Sequence, residues 1–512
     1  MITTQQFIER LLPMYTGQVA VEDSQRAITY GQLRERSGRL ANALLGMGAS
    51  LARPVAILLP NRVEAVEVDL ACMRAGVTRV SIGTRLSPDE CRYILEHSNA
   101  SVLVTTDSLY EQIADSSLSE LQLLRVGELA GNYEQALARG VAAVSASAVS
   151  PDDPAYILYT SGTTGRPKGA THSQGGRMAA MLNMLASELR IGRNSAMVHC
   201  GPLSHGSGSK VLSFLAVGAR NILMEKFEPA ELGQLVEARG GTHTFLVPTM
   251  LQMILESGRE SVERVRGMQQ ISFGGAPITN NLFGRCVEQL GPILTQVYGT
   301  SEAPHPITLV TPDDYIGLDD PSVLAEYAGR PALASGIQIR DDQGRILPAG
   351  AEGELFVNGD HLMTGYWENP AATAEVFPEP GWYATGDVGV IDDAGFLSLR
   401  DRKRDLIISG GLNVYPSEVE RVLDSYHGIS EVAVVGAPSD RWGEIVTACI
   451  VPASGSEFSE AALMEWLDDK IAGYKKPRQI MLFAELPKGA TNKVLKRELR
   501  KQFWPEQGRQ VN

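Results

Sequence analysis

The sequence predicts an α/β protein of more than one sheet, followed by a β-rich segment and a separate small α/β domain. Three observations carry that expectation. Short apolar strands alternate with helically spaced stretches as far as Gly329, which is the alternation of parallel sheets covered by helices. Between residues 330 and 399 the helices thin out, and Gly, Pro and Asp punctuate short alternating strands such as GIQIR and GELFVNG. The charged run Arg400-Asp401-Arg402-Lys403-Arg404-Asp405 then reads as a linker before a fresh β/α pattern, VYPSEVERVL, EVAVVGAP and TACIVPA.

In chain order, strands are expected at residues 54–59, 101–105, 155–160, 195–200, 221–224, 244–247 and 293–298, all short apolar runs. Helices are expected at residues 26–45 and 229–238, where apolar side chains recur at helical spacing. The chain has 512 residues, 44% of them hydrophobic, enough apolar material for several cores and too much for a disordered polymer. Its formal net charge of −14 argues against nucleic acid or an anionic membrane as a partner of the whole molecule. Cys72, Cys91, Cys200, Cys286 and Cys449 stand singly, with no CxxC pair, so neither a disulfide framework nor a thiolate zinc site is expected. No apolar run reaches the length of a membrane span, and MITTQQFIERLLPMY holds no stretch suited to a secretory leader. A cytoplasmic location is the expectation.

The most informative string is YTSGTTGRPKG, which leaves the strand expected at residues 155–160. Gly162, Gly165 and Gly169 let the backbone turn tightly and approach a ligand. Thr160, Ser161, Thr163 and Thr164 supply hydroxyls, and Lys168 adds a positive charge. Such a loop can wrap phosphate oxygens. It is not a Walker loop, because GxxxxGK[ST] is absent and Pro167 disfavours a helix opening at Lys168. A second charge signal lies near the C-terminus. Between residues 471 and 501, nine Lys or Arg (Lys475, Lys476, Arg478, Lys488, Lys493, Lys496, Arg497, Arg500, Lys501) face two acids, Glu485 and Glu498. In an acidic protein a small polyphosphate ligand would explain that local excess.

With this loop the chain resembles the adenylate-forming superfamily of acyl-CoA synthetases, luciferases and nonribosomal-peptide adenylation domains, most of all the acyl-CoA synthetases. The other family motifs follow in order: PLSHGSG, FGGAP, QVYGTSE, GELFVNGDHLMTGYW, YATGDVG, DRKRDLIISGGLNVYPSEVE and LPKGATNKVLKRELR. The resemblance implies a large N-terminal domain, residues 1–403, of two helix-covered, mostly parallel sheets plus a β-rich subdomain. A small mobile C-terminal domain, residues 404–512, would carry the catalytic lysine and the coenzyme A tunnel, with Arg404 at the hinge.

It also implies roles. Gly274, Gly275 and Ala276 would form one wall of the adenine site with Tyr298 opposite; Gly299, Thr300 and Ser301 would meet the phosphates; Glu302 would hold magnesium. Asp387 would accept from both ribose hydroxyls, with Arg402 beside it. Lys493 would stabilise charge gathering at the α-phosphorus. His205 would sit between acyl and thiol pockets. Gly410 and Gly411 would line the pantetheine tunnel, with Lys475 and Lys476 toward the coenzyme A phosphates. Phe245, Met250, Val297 and Ala303 would line the acyl pocket, together with residues 272–274, 298–301 and 304–305. That set holds no acid to receive a substrate amine, so amino acids are disfavoured.

Two rival readings are weaker. His199 and His205 lack an acidic third ligand for a metal, and the Ser207-x-x-Lys210 spacing of penicillin-recognising enzymes comes without SDN or KTG. The expected reaction has two steps: a carboxylate and magnesium-ATP give an acyl-adenylate and pyrophosphate, and coenzyme A thiol then displaces AMP. A fatty, alicyclic or aromatic acid is the expected substrate. The alternative is a stand-alone adenylating enzyme that loads a carrier-protein pantetheine. A carrier protein and a second copy of the chain, as a homodimer, are the protein partners this reading leaves open.

Overall fold

The computed structural model describes residues 2–127, 131–160, 166–410, 412–439, 441–453, 458–489 and 494–504, the side chains of residues 117, 404 and 469 apart. The chain forms two compact units, Met1–Ile337 with Val357–Tyr383, and Gln338–Phe356 with Ala384–Asn512.

The first unit holds two large sheets. One has seven strands, in the order Gly365–Tyr366, Lys168–Ser173, Pro154–Thr160, Arg79–Ser81, Val55–Leu58, Val102–Thr106 and Gln122–Val126. From Pro154–Thr160 onward its neighbours are parallel, while Lys168–Ser173 folds back antiparallel as a hairpin. The other has nine strands, with Leu294–Tyr298, Gln270–Gly274, His243–Leu246, Ala196–His199 and Arg220–Leu223 as its parallel centre. Both have covered faces, which is why their strands read as continuous apolar runs. Val55, Ala56, Val102, Leu103 and Val104 are fully buried, as are Ala196, Met197 and Val198.

All seven expected strands form, with ends moved by one residue or so. The helix expected at residues 26–45 starts later. Ala27–Thr29 is a short strand, and the helix is Tyr30–Gly46, because the Thr29 side chain accepts from Gln32 N while Gln32 caps the Thr29 N–H in return.

The second unit carries most of a four-stranded sheet, in the order Gly336–Arg340, Glu352–Asn358, Trp382–Ile391 and Leu397–Arg402. Its other sheet is built on the long pair Ile429–Ser439 and Gly443–Pro452. Here the linker expectation is corrected. Arg400 to Arg402 complete the strand Leu397–Arg402, and Lys403–Asp405 is one helical turn. The charges are placed rather than free: Lys403 Nζ lies 2.8 Å from Asp342 and 3.1 Å from Glu354, and the Asp401 carboxylate accepts from Ser417 N at 2.8 Å. Among the described residues no helix is long and apolar enough to cross a membrane.

Candidate active site

The hairpin Pro154–Thr160/Lys168–Ser173 presents the phosphate-loop candidate. Thr160 and Lys168 are register partners at its open end, and Thr160 Oγ1 donates to the Lys168 carbonyl at 3.4 Å. Ser161, Gly162, Thr163, Thr164 and Gly165 lie outside the described residues. Lys168 extends over the Tyr366 ring, with Nζ 5.1 Å from its centroid.

The loop after strand Leu294–Tyr298 is fastened to the same hairpin. Thr300 N donates to the Ala303 carbonyl and Thr300 Oγ1 accepts from Ala303 N, which closes a tight turn. His172 Nε2–H donates to the Ser301 carbonyl at 2.7 Å. Burial holds the His172 pKa down to about 4, so the ring is neutral, and it stacks on Tyr156 at 4.6 Å. Arg79 and Arg177 lie over Tyr156 and both pair with the partly buried Asp69. The Glu302 carbonyl accepts from Met363 N at 2.8 Å, and its carboxylate accepts from the Tyr366 hydroxyl at 2.9 Å. Hydroxyls and a carboxylate are the hard oxygen donors that suit magnesium.

Gly274 ends the strand Gln270–Gly274, where an added Cβ would lie 2.2 Å from the Val297 carbonyl oxygen; Gly275 has φ of +81°. Gly274 has no room for a side chain, whereas at Gly275 it is the left-handed backbone that favours glycine. Of the wall named from the sequence, Gly274 is buried, Gly275 and Ala276 are exposed, and Tyr298 opposite is half-buried. Phe245 and Val297 share one apolar cluster, whereas Met250 joins the core beneath the nine-stranded sheet and Ala303 is fully buried in its turn. His205 is exposed, with Nδ1 2.8 Å from Ser204 Oγ.

His199 is fully buried between Ser207 Oγ at 2.9 Å and Asn221 Oδ1 at 2.8 Å. Ser207 is thus committed to that imidazole and Lys210 to Glu188, with both charged side chains buried. Burial penalises that pair, and their mutual attraction still holds the Glu188 pKa below its ordinary value. The Lys210 ammonium lies 5.4 Å from the Phe245 centroid, and Phe245 stacks on His305 at 5.2 Å. An acid therefore does stand beside the predicted acyl residues, already paired. Nothing local in the sequence flags Glu188, since its partner is 22 residues away.

In the second unit Asp387 and Arg402 are register partners on adjacent strands. Gly410 has φ of +61° and donates its N–H to the Trp442 carbonyl. Gly411 and Lys493 lie outside the described residues, as does the Arg404 side chain. Several residues of the basic stretch near the C-terminus make ion pairs: Lys475 with Glu418, Lys476 with Asp468, Lys488 with Glu431, Lys496 with Glu420 and Arg500 with Asp405. Most of that stretch is neutralised within its own unit.

Missed by the sequence reading were Tyr366 and His172. Tyr366 sits inside the quoted GELFVNGDHLMTGYW string, and His172 shares a strand face with Lys168 by period-two spacing.

A family model described as AMP-binding enzyme matches residues 9–367, and one described as AMP-binding enzyme C-terminal domain matches residues 418–493. The chain belongs to the AMP-binding enzyme family. It is 36% identical to a feruloyl-CoA synthase of an Amycolatopsis species over 94% of this chain and 96% of that protein. It is 33% identical to an indoleacetate–CoA ligase of Aromatoleum aromaticum over 97% of each. Its fold matches ATP-bound MatB of Rhodopseudomonas palustris with a TM-score of 0.89 and 30% identity, covering 98% of this chain and 99% of that one. With that membership and these full-length likenesses, the chain is an enzyme of the AMP-forming acid–thiol ligase class.

Proposed function

We propose that the enzyme joins an aromatic carboxylic acid to coenzyme A through an acyl-adenylate, releasing pyrophosphate and then AMP. The observation that carries this reading is the convergence of Lys168, Ser301 and Glu302 on one hairpin, through His172 and Tyr366, in a protein of this family. A fixed cation stabilises the negative charge that develops during attack of a carboxylate on the α-phosphorus, and a fixed carboxylate beside it can hold a divalent cation. Magnesium, held by Glu302 and the nucleotide, would neutralise phosphate charge. Asp387 and Arg402 bind the ribose, and Lys493 supplies the cation at the reacting phosphorus. Gly274, Gly275 and Tyr298 take the adenine, and Ser161 to Gly165 wrap the phosphates. The division at residues 403 and 404, with movement about Arg404 that brings Gly410 and Gly411 to the thiol, is part of the same proposal.

Among fatty, alicyclic and aromatic acids, the aromatic class is favoured by the flat, stacked surface of Phe245 and His305, and by the feruloyl and indoleacetate relatives. An ATP–pyrophosphate exchange screen against aryl, alicyclic and fatty acids tests this. Exchange driven by fatty acids alone would overturn the substrate class, and no exchange with any acid would overturn the reaction. Comparing free coenzyme A with a pantetheine-loaded carrier protein as acceptor then separates the two thiol partners.

A further inference from the structure

Glu302 and Lys168 are opposite charges in one site, and both contact a third residue. The Tyr366 hydroxyl donates to Glu302 Oε1 at 2.9 Å, and the Lys168 ammonium lies 5.1 Å from the centre of the same ring. Tyr366 is itself locked. Gly365 and Tyr366 pair in register with Thr171 and Ala170 on the strand that begins at Lys168. Trp367 N donates to the Gly169 carbonyl at 2.7 Å, and Tyr366 N donates to Thr373 Oγ1 at 2.9 Å. One residue earlier, Gly365 has φ of +151°, and an added Cβ would lie 2.7 Å from Thr373.

We propose that Tyr366 is a positioning residue that keeps Glu302 and Lys168 apart as two separately oriented charges, one for a divalent cation and one for the nucleotide phosphates. A lysine and a glutamate free to meet would form an ion pair, and each would then have to leave its partner before binding substrate. The tyrosine removes that cost. Its ring face attracts the ammonium without supplying a counter-charge, and its hydroxyl orients the carboxylate without neutralising it. The two functions reside in different parts of one side chain, so they can be separated by substitution. Tyr366→Phe keeps the ring and loses the hydroxyl; Tyr366→Leu loses both.

The proposal rests on the adenylation reading, so its test uses binding as well as turnover. ATP is titrated calorimetrically into the full-length enzyme with magnesium and with EDTA, and exchange kinetics are measured in parallel. Tyr366→Phe is expected to weaken ATP binding about tenfold with magnesium and to leave it unchanged in EDTA. The exchange KM for magnesium-ATP should rise to match, with kcat nearly unaltered. Tyr366→Leu is expected to weaken binding under both conditions, because Lys168 also loses its seat. Equal losses for the two variants, or a Phe variant that binds like wild type in magnesium, would overturn the proposal. Wild-type enzyme that binds ATP but supports no exchange with any acid would overturn the adenylation reading instead, while the binding comparison still decides the role of Tyr366.

Discussion

Arg402 Nε stands 3.2 Å from Asp387 Oδ1, and the two residues are opposed in register across adjacent antiparallel strands. The aspartate side chain is 10% exposed and the arginine 46%, so a ribose would meet a carboxylate already held in place by a half-exposed cation. The Asp387 backbone is held as well, since its N–H donates to Thr385 Oγ1 at 3.0 Å.

That arrangement separates the two residues by function. Asp387→Asn is expected to raise the exchange KM for ATP at least tenfold, because an amide cannot accept from two hydroxyls with both atoms. Arg402→Ala should raise it less, since its loss frees the carboxylate without removing it. Equal KM values for both variants and wild type would remove the pair from the nucleotide site.

Lys493→Ala is expected to lower pyrophosphate exchange by about 10²- to 10³-fold, the usual cost of one preorganised donor at a developing charge. Conversion of a preformed acyl-adenylate to thioester should persist. An exchange rate near that of wild type would exclude the lysine from the adenylation step.

The pair formed by Lys210 and Glu188 predicts a stability effect. Lys210→Met leaves a buried carboxylate without its partner and should cost roughly 3–5 kcal/mol in urea unfolding. Adding Glu188→Leu removes the stranded charge and should recover most of that loss. A single variant as stable as wild type would mean that the pair is not formed in solution.

Buried neutral histidines set a pH dependence. His172, His199, His243, His305 and His361 are each held down to about 4, with burial the first cause in every case. Between the unfolded value of 6.5 and about 4, the unfolded chain binds protons that the native ring refuses, so stability falls as pH drops through that window. Urea midpoints should decline from pH 7 to pH 5, and His361→Gln should flatten the decline. An unchanged slope in that variant would exclude His361 as a contributor.

Much of the fold, and the residues proposed for the candidate site, were legible because the informative signals are local. Apolar runs with turn formers between them mark Val55–Leu58 or Leu294–Tyr298 whatever surrounds them. The hydroxyl and glycine loop before Lys168 and the TGD string at Asp387 carry their chemistry within a few residues. Less legible was the run from Arg400 to Asp405, where charge suggested a linker and strand pairing with the Trp382–Ile391 segment decided otherwise.

From its sequence alone this protein is an α/β enzyme of two large sheets and a small domain, with a candidate phosphate loop and an ordered set of family motifs. Only the tertiary structure decides which charges meet. It neutralises the basic stretch through Glu418, Asp468, Glu431, Glu420 and Asp405, buries Glu188 against Lys210, and sets Tyr366 between Lys168 and Glu302. The reason is physical. Propensity and periodicity act between near neighbours in the chain, whereas Coulombic attraction and hydrogen bonding act through space, between residues that only strand register and helix packing bring together.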